Sequence, residues 1–192
     1  MATVTAIESK ENALTLSLDL GDAGKDLEQG ASVAVSGVCL TTSYLLPPTS
    51  CRFDVMGETL AKTSLGSLRV GDRVNVERSA RIGDEIGGHL VSGHVTGTVA
   101  IREIDTLNNN YIVMFACDAS WMPYILPKGF IALDGCSLTI VDVSDATFTI
   151  HLIPETLQRT TFGQKKVGDQ INLEIDSMTR AIVDTVARIT QV

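Results

Sequence analysis

The sequence lacks a hydrophobic run long enough to cross a bilayer, which takes about 20 consecutive apolar residues. Its N-terminus also lacks the basic segment followed by an apolar segment that marks a secretory signal. We therefore expect neither a membrane protein nor a secreted one, and we predict a cytoplasmic location. The length of 192 residues suits one large domain or two small ones.

Cysteine is scarce, and its spacing carries no metal-binding pattern. The four cysteines include no CxxC pair, so we expect free thiols, with neither disulfides nor a metal site. Clusters of Lys and Arg are also absent, and the formal net charge is −8, which repels the phosphate backbone of a nucleic acid. These absences leave a small molecule as the expected partner, with no nucleic acid and no membrane.

What the sequence does contain is an internal repeat. The segment "ETLAKTSLGSLRVGDRVNVE" (58–77) matches "ETLQRTTFGQKKVGDQINLE" (155–174) at ten of twenty positions, and "SVAVSGVCLTT" matches "FIALDGCSLTI" nearby. The repeat predicts two homologous halves, divided near residue 90. A duplicated scaffold with a site in only one half, or in neither, remains an alternative at this point.

Each half has the signals of short strands. "VGDRVNVE" and "VGDQINLE" carry a Gly-Asp turn followed by alternation of apolar and polar residues, which predicts a β-barrel or β-sandwich in each half. Only "DSMTRAIVDTVARI" has helical periodicity, because its apolar residues recur every three or four positions. Those residues are Met178, Ile182, Val186 and Ile189.

Two matched loops carry polar residues at alternate positions. A glycine lets backbone approach a ligand closely, and alternate residues after it share one face of a strand. The sets are Gly37, Cys39 and Thr41 in one half, and Gly135, Ser137 and Thr139 in the other. An ordinary β-turn with surface threonines is the alternative, and the recurrence of the pattern in both halves weighs against it.

Four further residues are candidates for a function. "GGHLVSGHVTG" places His89 and His94 among glycines, at a spacing that does not suit a metal site, and His94 is the candidate for proton transfer. Asp176 precedes the predicted helix, where an N-cap is its simplest role. Lys128, in "LPKGF", is ordinarily a solvated turn residue.

Taken together, the motifs resemble those of the riboflavin synthase family of the alpha-chain type over nearly the whole chain. The resemblance rests on "SGVCLTT", "VGDRVNVERSARIGDEIGGHLVSGHVTG", "KGFIALDGCSLT", "HLIPETLQRTTFG" and "VGDQINLEID". It implies an all-β fold of two tandem six-stranded Greek-key β-barrels, at 1–88 and 89–176, and a short C-terminal helix at 177–192 through which three subunits associate.

The resemblance also implies the reaction. Each barrel would bind one 6,7-dimethyl-8-ribityllumazine, and the N-terminal barrel of one subunit would face the C-terminal barrel of its neighbour. One lumazine would donate a four-carbon unit to the other, giving riboflavin and 5-amino-6-(D-ribitylamino)uracil without a cofactor. Association with lumazine synthase is a further implied partnership.

Nine residues carry over from the family pattern. Catalytic roles are expected for His94, Cys39 and Ser137, with His94 or Cys39 in proton transfer or activation of a nucleophile. Ser137 is also expected to hydrogen-bond the ligand. Substrate contacts are expected for Thr41, Met56, Lys128, Thr139, Ile153 and Asp176. Of these, Thr41 and Thr139 would donate or accept hydrogen bonds, while Met56 and Ile153 would contact the ring.

The start of the chain departs from both the repeat and the family pattern. "MATVTAI" matches "TGTVAI", so Met1 aligns with Thr96, and the lead-in that precedes this point in the second half has no counterpart. We expect roughly one strand of the first barrel to be missing and a strand edge to be exposed. A non-catalytic lumazine or flavin carrier is the main alternative function, and a purely structural module is a remote one.

Overall fold

The computed structural model describes residues 1–106 and 110–190. It divides into two β-structures joined by a connection at 79–96 that contains neither helix nor strand. Within the described residues, no helix combines the length and the apolar composition that a membrane span requires. The last two residues of the predicted helical segment, at 191–192, lie outside the described part of the chain.

The first half is a seven-stranded sheet whose two end strands are consecutive in the chain. Its elements are β1 (Ala2–Lys10), β2 (Ala13–Asp19), β3 (Ser32–Val35), β4 (Val38–Leu46), β5 (Ser50–Met56), α1 (Gly57–Lys62), β6 (Arg73–Val74) and β7 (Val76–Arg78). The strand order is β6-β1-β2-β5-β4-β3-β7. Since Asn75 alone separates β6 from β7, the two form one interrupted strand, and this half has the predicted six-strand plan.

The second half is a closed six-stranded barrel. Its elements are β8 (Gly97–Asp105), β9 (Ile112–Ala116), β10 (Phe130–Leu133), β11 (Cys136–Ser144), β12 (Thr147–His151), α2 (Pro154–Arg159) and β13 (Gln170–Ile175). The order β10-β11-β12-β9-β8-β13 closes on itself, because β13 pairs with both β8 and β10. Short 3₁₀ helices occur at Gly21–Gly24, Ser64–Ser67, Met122–Tyr124 and Thr161–Gln164. The predicted tandem barrels are confirmed.

Alternation of apolar and polar residues builds a separate core in each half. On β5, Cys51, Phe53 and Val55 are buried while the residues between them are not. On β12, Phe148 and Ile150 are buried in the second core. Fully burying such a side chain contributes about 1.5–3 kcal/mol, so each half has its own source of stability.

The two halves meet across a local two-fold relation. The side-chain amide of Asn75 donates to the Asp134 carbonyl at 2.9 Å, and that of Asn172 donates to the Ser36 carbonyl at 2.8 Å. Between them, Gly37 and Gly135 approach so closely that a Cβ on Gly37 would lie 2.6 Å from the nitrogen of Gly135. Side chains other than hydrogen do not fit at this crossing.

The predicted alignment of Met1 with Thr96 is wrong. A β-bulge interrupts the β1–β2 pairing between Val4 and Ala6, and the matching bulge interrupts β8–β9 between Ile101 and Glu103. Val4 therefore corresponds to Ile101, at the same offset of 97 as the long repeat, since 101 − 4 = 97. The letters Thr-Val occur at both 3–4 and 98–99 and so favour an offset of 95, but the two pairs lie at different places in the two ladders.

The expectation of a missing strand is wrong in extent, because β1 is present and pairs with β2 and β6. By the same offset, Met1 corresponds to Thr98, which pairs with Asn172 of β13 in the second half, whereas Met1 itself lies in no strand. Among the described residues, β7 pairs with β3 alone. β7 therefore has a free strand edge in the first half, as predicted.

The C-terminal helix α3 (Ser177–Thr190) is present as predicted. Polar contacts hold it to the second barrel, because Arg180 donates to the Thr96 hydroxyl at 2.9 Å and Tyr124 donates to Asp184. The predicted apolar stripe faces outward. Its members are Met178, Ile182, Val186 and Ile189, each more than half exposed.

Candidate active site

Matched hairpins position the two central residues of the site. β3 joins β4 through Ser36 and Gly37, and β10 joins β11 through Asp134 and Gly135, all with positive φ. Two-residue loops of this kind match the twist of paired strands, and glycine adopts their second position without strain. Each hairpin places its polar residue opposite an alanine, with Cys39 paired to Ala34 and Ser137 to Ala132.

The structure brings Cys39 and Ser137 to one cavity of about 600 Å³ between the two halves. The connection 79–96 forms much of its wall. Gly88 lies over Ser137, where a Cβ would come within 2.2 Å of the hydroxyl oxygen. Gly93 lies over Cys39, where a Cβ would come within 2.6 Å of the cysteine Cβ. The connection therefore lies directly on the site, and its glycines permit that approach.

Ser137 is held by His89. The hydroxyl oxygen of Ser137 lies 2.6 Å from Nδ1 of His89 and accepts from the backbone N–H of the same histidine at 3.2 Å. The imidazole stacks on the Phe130 ring at 5.2 Å between centroids. Burial lowers the pKa of His89, and the negative charges of Asp176 and Glu174 oppose that shift without cancelling it.

Cys39 is exposed, unlike Cys51 and Cys117, which are buried. Its backbone N–H donates to the Gly93 carbonyl at 2.9 Å. Burial raises the pKa of Cys51 and of Cys117 to about 11, and that of Cys136 to about 12. Those three thiols stay protonated at neutral pH, so Cys39 is the cysteine placed for chemistry.

Glu174 fixes the segment that carries His94. Its buried carboxylate accepts from the backbone N–H and hydroxyl of Ser92, both at 2.7 Å, and from the backbone N–H of Gly93 at 2.9 Å. His94 itself is exposed, with Nδ1 3.2 Å from the Ser92 hydroxyl. The histidine therefore stands at the surface on a firmly held backbone, outside the residues that line the cavity.

Asp176 caps the C-terminal helix. Its carboxylate accepts from the backbone N–H and the hydroxyl of Thr179, both at 2.8 Å. Burial opposes ionisation of Asp176, but the hydrogen bonds from Thr179 and the nearby His89 outweigh it and lower the pKa of the carboxyl. The N-cap role considered from the sequence is what the geometry provides.

The remaining five predicted residues lie along the barrel rims, outside the cavity lining. Thr41 and Thr139 are exposed one alternate position beyond Cys39 and Ser137 on the same strands. Met56 and Ile153 each precede a helix, α1 or α2, and each is 63% exposed. Lys128 is an exposed turn residue with a φ of 66°.

Sequence reasoning named His89 but passed over it in favour of His94. The signal that could have found it is the repeated Gly-His pair, at Gly88–His89 and Gly93–His94. Each pair touches one of the two matched residues, the first at Ser137 and the second at Cys39. Phe130 and Glu174 were also missed, because only the folded chain brings them to the connection.

Comparisons with solved structures support the fold. The crystal structure of LumP complexed with 6,7-dimethyl-8-(1'-D-ribityl) lumazine gives a TM-score of 0.81 at 20% identity, covering 91% of this chain and 94% of that chain. The complex of LumP with riboflavin gives a TM-score of 0.82 at 22% identity with the same coverage. At these identities the likeness concerns the fold alone.

Comparisons of sequence establish the family. The lumazine binding domain family matches residues 1–79 and 92–176. Riboflavin synthase of Escherichia coli (strain K12) is 50% identical over 190 residues, which are 98% of this chain and 89% of that protein. Riboflavin synthase of Buchnera aphidicola (subsp. Schizaphis graminum, strain Sg) is 46% identical over 191 residues, 98% of this chain and 91% of that protein. The chain belongs to the riboflavin synthase family.

Proposed function

We propose that the chain converts two molecules of 6,7-dimethyl-8-ribityllumazine into riboflavin and 5-amino-6-(D-ribitylamino)uracil. One observation carries the proposal: two lumazine-binding domains present matched polar residues, Cys39 and Ser137, at the end of matched hairpins. A reaction between two copies of one substrate calls for such a duplicated site. The two products contain all the atoms of the two substrates, so the transfer balances without an oxidant or a cofactor.

The chemistry has two demands. A proton must leave the C7 methyl group of one lumazine, whose carbanion is delocalised into the ring, and a nucleophile must add to the other ring. Holding both molecules in place replaces a bimolecular collision, an effect that can be worth roughly 7 to 11 kcal/mol. The protein's task is therefore mainly to bind two rings side by side and to move protons.

We assign the roles as follows. His94 or Cys39 moves the proton or activates the nucleophile, since imidazole and thiol groups exchange protons near neutral pH. Ser137, Thr41 and Thr139 hydrogen-bond the ligands, and Met56 and Ile153 contact the rings from the start of α1 and α2. Asp176 and Lys128 complete the rim of the second barrel. The exposure of Met56 and Ile153 supports a role at an open barrel mouth.

The proposal includes a homotrimer. The outward stripe of α3 would meet the same stripe of neighbouring subunits, and the first barrel of one subunit would face the second barrel of the next. Four apolar residues, each more than half exposed in a single chain, support an association through this helix. Association with lumazine synthase and a cytoplasmic location stay predictions.

Riboflavin formation from 6,7-dimethyl-8-ribityllumazine, followed by absorbance without added cofactor, tests the function. We expect turnover in the parent protein, and a loss of about 100-fold or more in His94→Gln, the usual effect of removing a positioned acid or base. His151→Gln is the matched control, because His151 is an exposed histidine at the end of β12. A His94 variant with the turnover of the control would remove His94 from the mechanism, and a parent without turnover would overturn the synthase function.

A carrier of lumazine or flavin is the second candidate. It is favoured by the fold shared with LumP, whose crystal structures contain lumazine, flavin mononucleotide and riboflavin. The same assay separates the two functions. Binding of 6,7-dimethyl-8-ribityllumazine with no product would indicate the carrier.

A further inference from the structure

The connection at 79–96 forms part of the candidate site as well as joining the barrels. It runs across both matched site residues, with Gly88 over Ser137 and Gly93 over Cys39. The histidine after each glycine differs in its surroundings, because His89 is half-buried while His94 is exposed. Only His89 makes a direct side-chain contact with a matched residue, through the 2.6 Å approach of its Nδ1 to the Ser137 hydroxyl.

The contact between Ser137 and His89 fits a hydrogen donated in either direction, and the proposal below takes the tautomer that accepts at Nδ1. The hydroxyl oxygen accepts from the backbone N–H of His89, so its own hydrogen is free to be donated to Nδ1 at 2.6 Å. A neutral imidazole that accepts at Nδ1 carries its hydrogen on Nε2. Burial favours the neutral ring, as the lowered pKa of His89 indicates.

Nε2 of His89 is enclosed and has no hydrogen-bond partner among the described residues. A buried N–H donor without an acceptor is unfavourable and rare. The ring cannot easily turn away, because it is stacked on Phe130 at 5.2 Å with an interplanar angle of 19°. His89 nevertheless lines the cavity together with Cys39 and Ser137. An oxygen atom from a bound molecule would supply the missing acceptor.

We propose that His89 is a further ligand-binding residue of the second barrel, which holds the Ser137 hydroxyl through Nδ1 and donates from Nε2–H to an oxygen of the bound lumazine or flavin. The proposal rests on the proposed function for the identity of the ligand. The accepting oxygen belongs to the ring system or to the ribityl chain, since both offer acceptors. Phe130 acts as a positioning residue, because its ring fixes the plane of the imidazole.

The tautomer is tested on the ligand-free protein. Long-range ¹H–¹⁵N correlation spectra of the ¹⁵N-histidine-labelled chain contain signals from only three histidines. We expect the neutral ring of His89 to carry its hydrogen on Nε2, and we expect the Ser137→Ala variant to lose that preference. A hydrogen on Nδ1 in the parent protein would overturn the proposal whatever the protein catalyses.

Ligand affinity tests the role of Nε2. Fluorescence titration with 6,7-dimethyl-8-ribityllumazine is expected to show about a 10-fold weaker Kd in His89→Phe, which keeps the stacking but removes both nitrogens. His89→Gln, whose amide N–H reaches the position of Nε2, is expected to lose only about 3-fold. His151→Gln is the control and should bind as the parent does.

Three results would each contradict either the role of Nε2 or the proposed function. His89→Phe with the affinity of the parent, or His89→Gln no better than His89→Phe, would overturn the role of Nε2. A parent protein that binds no lumazine would overturn the proposed function, while the tautomer measurement would still stand. A second titration, with 6,7-dimethyllumazine, locates the accepting oxygen. If His89→Phe weakens the binding of this compound equally, the oxygen belongs to the ring. If the loss of affinity is confined to the ribityl compound, the oxygen belongs to the ribityl chain.

Discussion

The two barrels contain the same strands in the same order, yet only the second closes through a continuous ladder. In the second barrel, Gly97 and Thr98 pair with β13, and the preceding residues Ser92 and Gly93 are held by Glu174. In the first barrel, β6 pairs with β1 and β7 pairs with β3, and the last strand is split between them at Asn75. Among the described residues, the two barrels therefore differ in how the last strand pairs and not in the order of their strands.

The two barrels also differ in the surroundings of the matched residues Glu174 and Glu77. Glu174 is buried and accepts three hydrogen bonds from the lead-in of β8, while its counterpart Glu77 is exposed. A cavity of about 340 Å³ lies beside β7, lined by Met1, Glu77 and residues of both halves.

Replacing Glu174 is expected to have the largest effect on stability and to show most clearly how the two barrels differ. Glu174→Ala leaves the backbone N–H groups of Ser92 and Gly93 without their acceptor, and we expect a loss of about 3 to 4 kcal/mol in the free energy of unfolding. Urea unfolding measures the loss, and hydrogen exchange should show faster exchange at the amide of Thr96, which bonds to Leu173. Glu77→Ala is the matched control, with an expected change below about 0.5 kcal/mol. Equal losses in the two variants would contradict the difference between the barrels.

A buried ion pair gives the second contrast. Asp134 is fully buried and lies 3.1 Å from Lys165, whereas the first barrel has Ser36 and Leu68 at the matching positions. Lys165→Leu leaves the buried carboxylate of Asp134 without its partner. We expect the free energy of unfolding at pH 7, measured with urea, to fall by about 2 kcal/mol, since breaking a buried pair leaves an uncompensated charge. The double variant Asp134→Ser, Lys165→Leu should recover most of that loss.

The sign of the pH dependence follows from Asp134. Burial raises the pKa of its carboxyl above the ordinary value of 3.8, although Lys165 partly opposes the shift. The folded state therefore keeps the proton to higher pH than the unfolded state, and the stability from this group falls as pH rises from about 3.8 through the raised pKa. The deficit of Lys165→Leu should accordingly be smaller at pH 4 than at pH 7, and a deficit independent of pH would count against the buried charge as its cause.

The smallest expected effect concerns the residue that follows each barrel. Asp176→Ala removes the cap of α3, at a cost of about 1 kcal/mol, whereas Ser79→Ala at the matched position precedes no helix. Hydrogen bonds lower the pKa of Asp176 in the folded state, so its contribution is present above about pH 4 and is lost as pH falls through the lowered pKa. Circular dichroism and urea unfolding at pH 7 and pH 3 check both points. The difference between the two variants should be smaller at pH 3 than at pH 7.

Much of this fold could be predicted from the repeat. The turns at Gly37 and Gly135, the strand alternation and the helix beginning at Ser177 are local patterns, and the structure contains all of them. The alignment of the chain start was predicted wrongly, because the letters Thr-Val recur at 3–4 and 98–99, whereas Val4 takes the place of Ile101 in the ladder.

The site was harder to predict because its contacts are distant in sequence. Ser137 and Cys39 were found from their repeated loops, but the partner of Ser137 is His89, 48 residues away. Nothing in the local pattern around His89 distinguishes it from His94, since each follows a glycine. Which histidine is buried is decided by the path of the connection across the folded barrels.

The reciprocal hydrogen bonds of Asn75 and Asn172 make the molecule an intramolecular dimer. A tether of 18 residues between β7 and β8, at 79–96, keeps each barrel at a high effective concentration for the other. The pairing of the barrels is therefore independent of dilution as long as the chain is intact. Cleavage within the tether would turn one folded unit into two components whose association follows mass action.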